Sequence, residues 1–403
     1  MFTLARSELL STFFPTWLWQ GRQWSKWRIP RYDNYWINAH AHPVLSTYYP
    51  AHILASIYVQ GRSIDYAFKV LVYNLFIHIL FGFVGWFYFI QTWSNPLIAL
   101  FGAITLTFQA THLKQQPCII YTLAWFPWIA FCPWLAVGMI LLAGYYPIAI
   151  YLLPLGLLLN HDPISWLIGF AIGSIQLVPF IKYLPKTIRG KVEAPSSSPT
   201  ESKFYFGLTP LIILYMNFQF IYLILLIPVV SLFIKSSLFR VPQRALILSC
   251  YGAIYFCLIA MKELTNQQVI LLTLIQAFDL WINNRELIPP RPFCELWEKP
   301  SRAFDTKLTR FLHNNLGNAR VSGLPYPLFT GHINGFKTLG YCGSMQNNLM
   351  WKWRKSFQHD PFLDGVNDDD ITRYGCKFAY SRKKLSWPST EVPNLYINPN
   401  YTP

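Results

Sequence analysis

Residues 70–93 read VLVYNLFIHILFGFVGWFYFIQTW, a run without a single Lys, Arg, Asp or Glu. A hydrocarbon core near 30 Å is crossed by about 20 helical residues, so this stretch is long enough to span a bilayer. Further apolar runs follow at about 96–111, 117–133, 134–159, 163–183, 208–234, 243–261 and 266–283. The composition agrees: 53% of residues are hydrophobic, 18% aromatic and 13% charged, against about 25% charged in a typical soluble domain. The expected fold is mainly α, a polytopic transmembrane bundle of about eight spans with a small C-terminal α+β soluble domain. Pro127, Pro133, Pro147 and Pro154 fall inside or between the runs. Broken helices and half-spans are therefore expected, because neighbouring helices re-satisfy the freed backbone groups.

Three regions result. Residues 1–66 are expected as an aromatic and basic loop segment, 67–283 as the membrane-spanning part, and 284–403 as an α+β tail domain of mixed charges, glycines and short apolar stretches. In the tail, Ser301 to Asn314 has the pattern of an amphipathic helix, while RVSGL (320–324) and Phe378 to Tyr380 read as strands. Residues 184–207 are a loop rich in Ser and Pro.

The formal charge is +15. In a chain this apolar, basic residues serve anionic headgroups and topological anchoring. No basic helix or known binding module accompanies them, so nucleic acid is not an expected partner. Charge leaves the orientation open, because the 184–207 loop and the N-terminal segment are both basic. Seven cysteines form neither a CxxC pair nor a zinc spacing; Cys342 and Cys376 would be free to pair in an oxidising compartment. The N-terminus lacks the uninterrupted apolar core of a signal peptide.

Residues 32–50, YDNYWINAHAHPVLSTYYP, concentrate polar and aromatic side chains before the first span. Tyr32, Tyr35, Trp36, Tyr48 and Tyr49 suit a membrane interface. His40 and His42 lie two apart and share a face in extended chain, but no further ligand has zinc spacing. They are better placed to hydrogen-bond a sugar or a phosphate group. His112 follows an apolar run, where it either meets water or orients a phosphate. Arg240 and Arg244 are four apart, so on a helix they share one face that could grip phosphate; plain anchoring is the alternative. Asp279 lies in the apolar run LLTLIQAFDLW, and an intramembrane acid is expensive unless paired or functional. Asp368, Asp369 and Asp370 precede an apolar segment and suit a helix N-terminus.

Read in order, several segments resemble the bacterial YfhO-like membrane proteins, within the GT-C class of polytopic glycosyltransferases. They are FFPTWLWQGRQWSKWRIPRYDNYWINAHAHPVLSTYYP, QATHLKQQPCIIYTLAWFPWIAF, LLAGYYP, GFAIGSIQLVPFIKYLP, FRVPQRALIL, LIQAFDLW, ARVSGL with LGYCGS, and KFAYSRKKLSWPSTEVPNLYINPN. Each motif alone is weak; their order over nearly the whole chain carries the resemblance. It implies an enzyme at the outer face of the bacterial inner membrane. Such an enzyme takes sugar from a polyprenyl-phosphate carrier and passes it, with inversion, to an extracytoplasmic acceptor. It also implies an acidic residue in the first outer loop, acting as base or holding a divalent ion. That position falls on Glu8, with Asp33 the second candidate. The chain departs from the family in having Glu rather than Asp there, and in having seven residues rather than a full span before it. A shortened relative, or a start lying upstream, is the expectation. The alternatives are a non-catalytic scaffold or partner relative, and a transporter of lipid-linked saccharide.

Overall fold

In a computed structural model of the protein, the described residues are 13–30, 46–109, 117–183, 207–216, 246–284, 299–322, 337–339, 375–380 and 385–401. They are mainly helical, with one small sheet. The stretch 1–66, expected as a loop segment, holds two helices, each with a proline in its first turn: α1 (Phe14–Trp24) and α2 (Pro50–Tyr58) pack together ahead of the long α3 (Ile64–Gln91). Ser63 starts α3 by accepting the backbone N–H of Tyr66 at 3.2 Å. At about 1.5 Å per residue, α3 is roughly 42 Å long, ample for a bilayer. Then come α4 (Pro96–Phe108), α5 (Pro117–Trp125), a 3₁₀ turn (Phe126–Ala130), α6 (Pro133–Ala143), α7 (Tyr146–Leu159) and α8 (Pro163–Tyr183). Helices α9 (Leu208–Met216), α10 (Leu246–Ala260) and α11 (Asn266–Asn284) complete the helical body.

Of the eight expected spans, two among the described residues are helices long and apolar enough to cross a membrane: α3 and Pro163–Lys182 of α8. The others described between them are shorter apolar helices. The 134–159 run, expected as one span, is two. Gly144, with φ +78°, ends α6 in the left-handed conformation, which glycine adopts without a steric penalty. Pro154 and Pro179, by contrast, lie within continuous helices. The 117–133 run also changes character, tightening to 3₁₀ at Phe126 beside Pro127, which has no N–H to donate.

Helices α6 and α8 pack closely because glycine removes the obstacle between them. A Cβ at Gly169 would stand 2.9 Å from the Trp134 carbonyl oxygen, and one at Gly173 would stand 2.4 Å from Leu141 Cβ. Gly169 and Gly173 form a GxxxG pair, the small-residue seam that lets membrane helices approach.

One core holds Trp86, Phe101, Phe126, Ile140, Leu152 and Tyr251, drawn from α3, α4, the 3₁₀ turn, α6, α7 and α10. A second core joins Phe14, Trp17, Tyr49, Phe68, Leu71 and Tyr121. Into this second core reaches Phe304, from α12 (Ser301–Phe304) at the start of the tail. The amphipathic segment expected at 301–314 forms, but it breaks. Thr306 caps a separate α13 (Lys307–Asn315) through a reciprocal bond pair with Thr309.

Beyond it, β1 (Arg320–Ser322) is central in a sheet with β2 (Lys337–Leu339), β3 (Cys376–Tyr380) and β4 (Leu395–Ile397), in the order β2-β1-β3-β4. Strand β1 runs parallel to β2 and β3, while β3 and β4 are antiparallel. Leu312, Leu316, Val321, Phe378 and Leu395 form its small core under α13. Both strands read from the sequence are present. Cys376 is a free, buried thiol; Cys342, its candidate partner, lies outside the described residues.

Candidate functional site

The second core contains a directed chain of hydrogen bonds. The Nδ1 of His78 lies 2.7 Å from the Asn74 backbone oxygen. A carbonyl can only accept, so Nδ1 carries the proton and Nε2 is left with a lone pair. The Tyr49 hydroxyl, 2.6 Å from Nε2, therefore donates to it. Trp125 Nε1 donates in turn to the same hydroxyl oxygen at 2.7 Å. The order is Trp125 to Tyr49 to His78 to Asn74, with Trp125 on α5, Tyr49 at the cap of α2, and His78 and Asn74 on α3.

A parallel chain lies beside it. Gln20 donates from Nε2 to the Thr47 hydroxyl at 3.1 Å, which turns its Oε1 toward His52 Nε2 at 2.8 Å. His52 Nε2 is then the donor, and its Nδ1 is a buried lone pair without a partner. Trp17 Nε1 donates to the His52 carbonyl at 3.1 Å and ties α1 to α2. Tyr121 joins the two chains: its ring stacks on Tyr49 at 4.8 Å and meets His78 at 4.5 Å and His52 edge-on at 6.1 Å.

Burial sets the charge state. His52 is 1% exposed, and burial holds its pKa down to about 3, with His78 adding to the effect. Burial also raises the Tyr49 phenol, against the Trp125 bond that lowers it. His52 and Tyr49 are therefore neutral at pH 7. The cluster can relay or orient protons through hydroxyl and imidazole groups, and it has no anionic group of its own among the members named here.

The residues singled out from the sequence fall differently. Glu8, Asp33, His40, His42, His112, Arg240, Arg244 and Asp368 to Asp370 lie outside the described residues. Asp279 is described, and protein donors engage both of its oxygens. Oδ2 accepts the Leu208 backbone N–H at 2.8 Å and Oδ1 accepts from Asn283 at 3.0 Å. Gln276, one turn earlier, accepts the Thr209 N–H at 3.3 Å. Asp279 thus sits at the N-terminus of α9, where an anion is stabilised by unpaired amides and the helix dipole. This is the role its hydrogen bonds show. Tyr49 was expected as an interfacial ring and is instead 1% exposed.

The histidines that do come together, His52 and His78, were not among the candidates. For His78 the available signal was an ionisable residue inside an apolar run. For His52 there was no local signal, because its partners stand on three other segments. Among the described residues, no group of three His, Cys, Asp or Glu side chains is gathered as a metal site would require. No protein-family model, curated protein or solved structure matches the chain.

Proposed function

We propose that the chain is a multi-pass protein of the bacterial inner membrane, of GT-C glycosyltransferase type, moving a sugar from a polyprenyl-phosphate carrier to an extracytoplasmic acceptor. The observation that carries this reading is the meeting of two polar segments at one end of an apolar helical body. Asp65, in the first turn of α3, accepts the Ser301 N–H and hydroxyl, each at 2.8 Å. The N-terminal segment and the tail thereby share one end of the long helix. A membrane transferase needs that, because acceptor, sugar-phosphate and carboxylate have to meet at one interface while the carrier chain stays in lipid.

The apolar outer faces support the membrane part of the reading. Phe76, Ile77, Ile164, Leu167 and Ile175 are all more than half exposed, a face that hydrocarbon tolerates and water does not. The shorter apolar helices serve as half-spans whose broken backbone is satisfied by neighbours. The order of family-like motifs along the chain supports the activity.

In this reading Glu8 takes the acceptor proton or holds a divalent cation, with Asp33 as the second acid. Arg240 and Arg244 hold the carrier phosphate, and His40, His42 and His112 hydrogen-bond sugar or phosphate. The acceptor oxygen bonds to the anomeric carbon, the carbon–oxygen bond to the carrier phosphate breaks, and the phosphate leaves with the electron pair. Glu8→Gln keeps size and hydrogen bonding while removing the charge. Loss of a general base costs about 10²–10⁴ in rate, measured as transfer of lipid-linked sugar in membranes. Equal activity in wild type and variant would move the role to Asp33.

A second reading, a non-catalytic scaffold or partner relative, is favoured by the His52–His78 cluster, which is buried and turned toward structure rather than toward a cleft. Absence of transfer in both wild type and variant would support it.

A further inference from the structure

The tail sheet has two faces, and the one turned away from α13 is chemically unbalanced. Val321 is buried in the small core; along the regular β1–β2 ladder its neighbours Arg320 and Ser322, two apart on β1, share the opposite face, while the pairing with β3 shifts register between Arg320 and Val321. Each carries a polar atom that is buried and without a hydrogen-bond partner: Arg320 Nη1 and Ser322 Oγ. Ser322 is 1% exposed. The register then adds a second cation. Lys337 of β2 is paired with Arg320 across the parallel ladder, and residues so paired point to the same side of a sheet. Two like charges side by side oppose each other.

Nothing described nearby offsets them. Arg320 is also paired with Cys376, but burial pushes that thiol up to about 12, so it is no counter-ion at neutral pH. Burial also lowers the Arg320 pKa, the direction expected of a guanidinium short of an anionic partner. Among the described residues the ion pair formed in the tail is Asp305 with Arg310, on α13 and the turn before it. A buried guanidinium nitrogen and a buried hydroxyl are together three N–H and O–H donors without a partner, with the Lys337 cation on the neighbouring strand.

We propose that this face of the tail sheet binds an oxyanion, a phosphate or carboxylate group, held by Arg320 and Lys337 with the Ser322 hydroxyl donating to a second oxygen. Arg320 as a whole is intermediate in exposure, although its Nη1 and the Ser322 Oγ are themselves covered, so an anion binds there by displacing what covers them. A guanidinium fork matches two oxygens of one phosphate or carboxylate. The site does not depend on the transferase reading: it would hold for an anionic acceptor, a lipid headgroup or free phosphate alike.

The test uses the full chain purified in neutral detergent, with thermal unfolding followed at constant ionic strength. Inorganic phosphate and acetate are titrated separately, with chloride as the control. The expected result is a saturable rise in the midpoint with phosphate or acetate beyond that with chloride. Arg320→Lys, which keeps the charge and loses the fork, should weaken binding about 10-fold or more; Ser322→Ala and Lys337→Gln should weaken it less. Repeating the titration in phosphatidylcholine nanodiscs with and without phosphatidylglycerol assigns the source. Loss of the response when phosphatidylglycerol is present points to a lipid headgroup, and its persistence points to a soluble anion. No rise over chloride in wild type would overturn the proposal. So would an unchanged affinity in both Arg320→Lys and Ser322→Ala, whether or not the former is less stable.

Discussion

His52 shows how burial turns a titratable side chain into a structural one. Its Nε2–H is committed to Gln20, and its ring lies against Phe13, Trp17 and Tyr121. Protonation would place a cation there with no carboxylate beside it among the described residues. The unfolded ring takes its proton near 6.5 and the folded ring near 3. As pH falls below 6.5 the unfolded chain binds the proton first, so stability falls through the window from 6.5 to about 3. By pH 5 the loss relative to pH 7 is about 2 kcal/mol. A His52→Gln variant should lose this dependence while keeping a partner for Gln20. Unfolding midpoints at pH 7 and pH 5 check it: wild type should drop, the variant should not, and identical slopes would refute the assignment.

At the scale of elements, the seam between α6 and α8 rests on what glycine leaves out. The obstacle to a Cβ at Gly169 is the Trp134 carbonyl, a backbone atom, as well as Val137 Cβ at 2.7 Å. A backbone atom cannot rotate aside as a side chain can. Gly169→Ala should therefore separate the helices and cost about 1–3 kcal/mol, the usual range for overpacking, despite alanine's better helix propensity. The measurement is thermal stability in detergent, against Gly61→Ala as a control; a Cβ at Gly61 meets nothing within 4 Å, although its φ of +76° adds backbone strain of its own. A variant as stable as wild type would show that the helices are free to part. The two glycines lie within the apolar run 163–183, but which helix they meet is decided by how the helices pack and not by their spacing.

For the whole molecule, the Asp65–Ser301 contact determines where the tail stands. Both hydroxyl and N–H of Ser301 are held by one carboxylate across 236 positions of chain, and Phe304 packs near Phe14, with ring centroids 6.2 Å apart. The N-terminal helices and the tail should therefore lie on one side of the membrane. Cysteines introduced at the exposed Ser25 and Asn314 should be labelled together by an impermeant reagent in intact cells. Labelling of one and not the other would refute the arrangement. Asp65→Ala removes two charge-assisted hydrogen bonds, each about 1.5–3 kcal/mol, and should expose the tail to faster proteolysis at its junction near Ser301.

Composition and apolar run length by themselves determined that the chain is helical, where most helices begin, and that a small mixed domain follows them. Those features are local: proline in a first turn, apolar residues over about 20 positions and alternation in a strand each act within a few residues. Ser301 to Asn314 and RVSGL were legible for that reason, and so was the acid at 279 as an unusual one. Only the tertiary structure decided what such residues do. It made Asp279 the anchor of a neighbouring helix, buried Tyr49 that the sequence had placed at an interface, and brought His52 beside His78. It also set Arg320 next to Lys337 on one sheet face. A hydrogen-bond partner or a counter-charge 20 to 240 residues away leaves no mark on the local pattern, because it is chosen by how apolar faces pack and not by spacing along the chain.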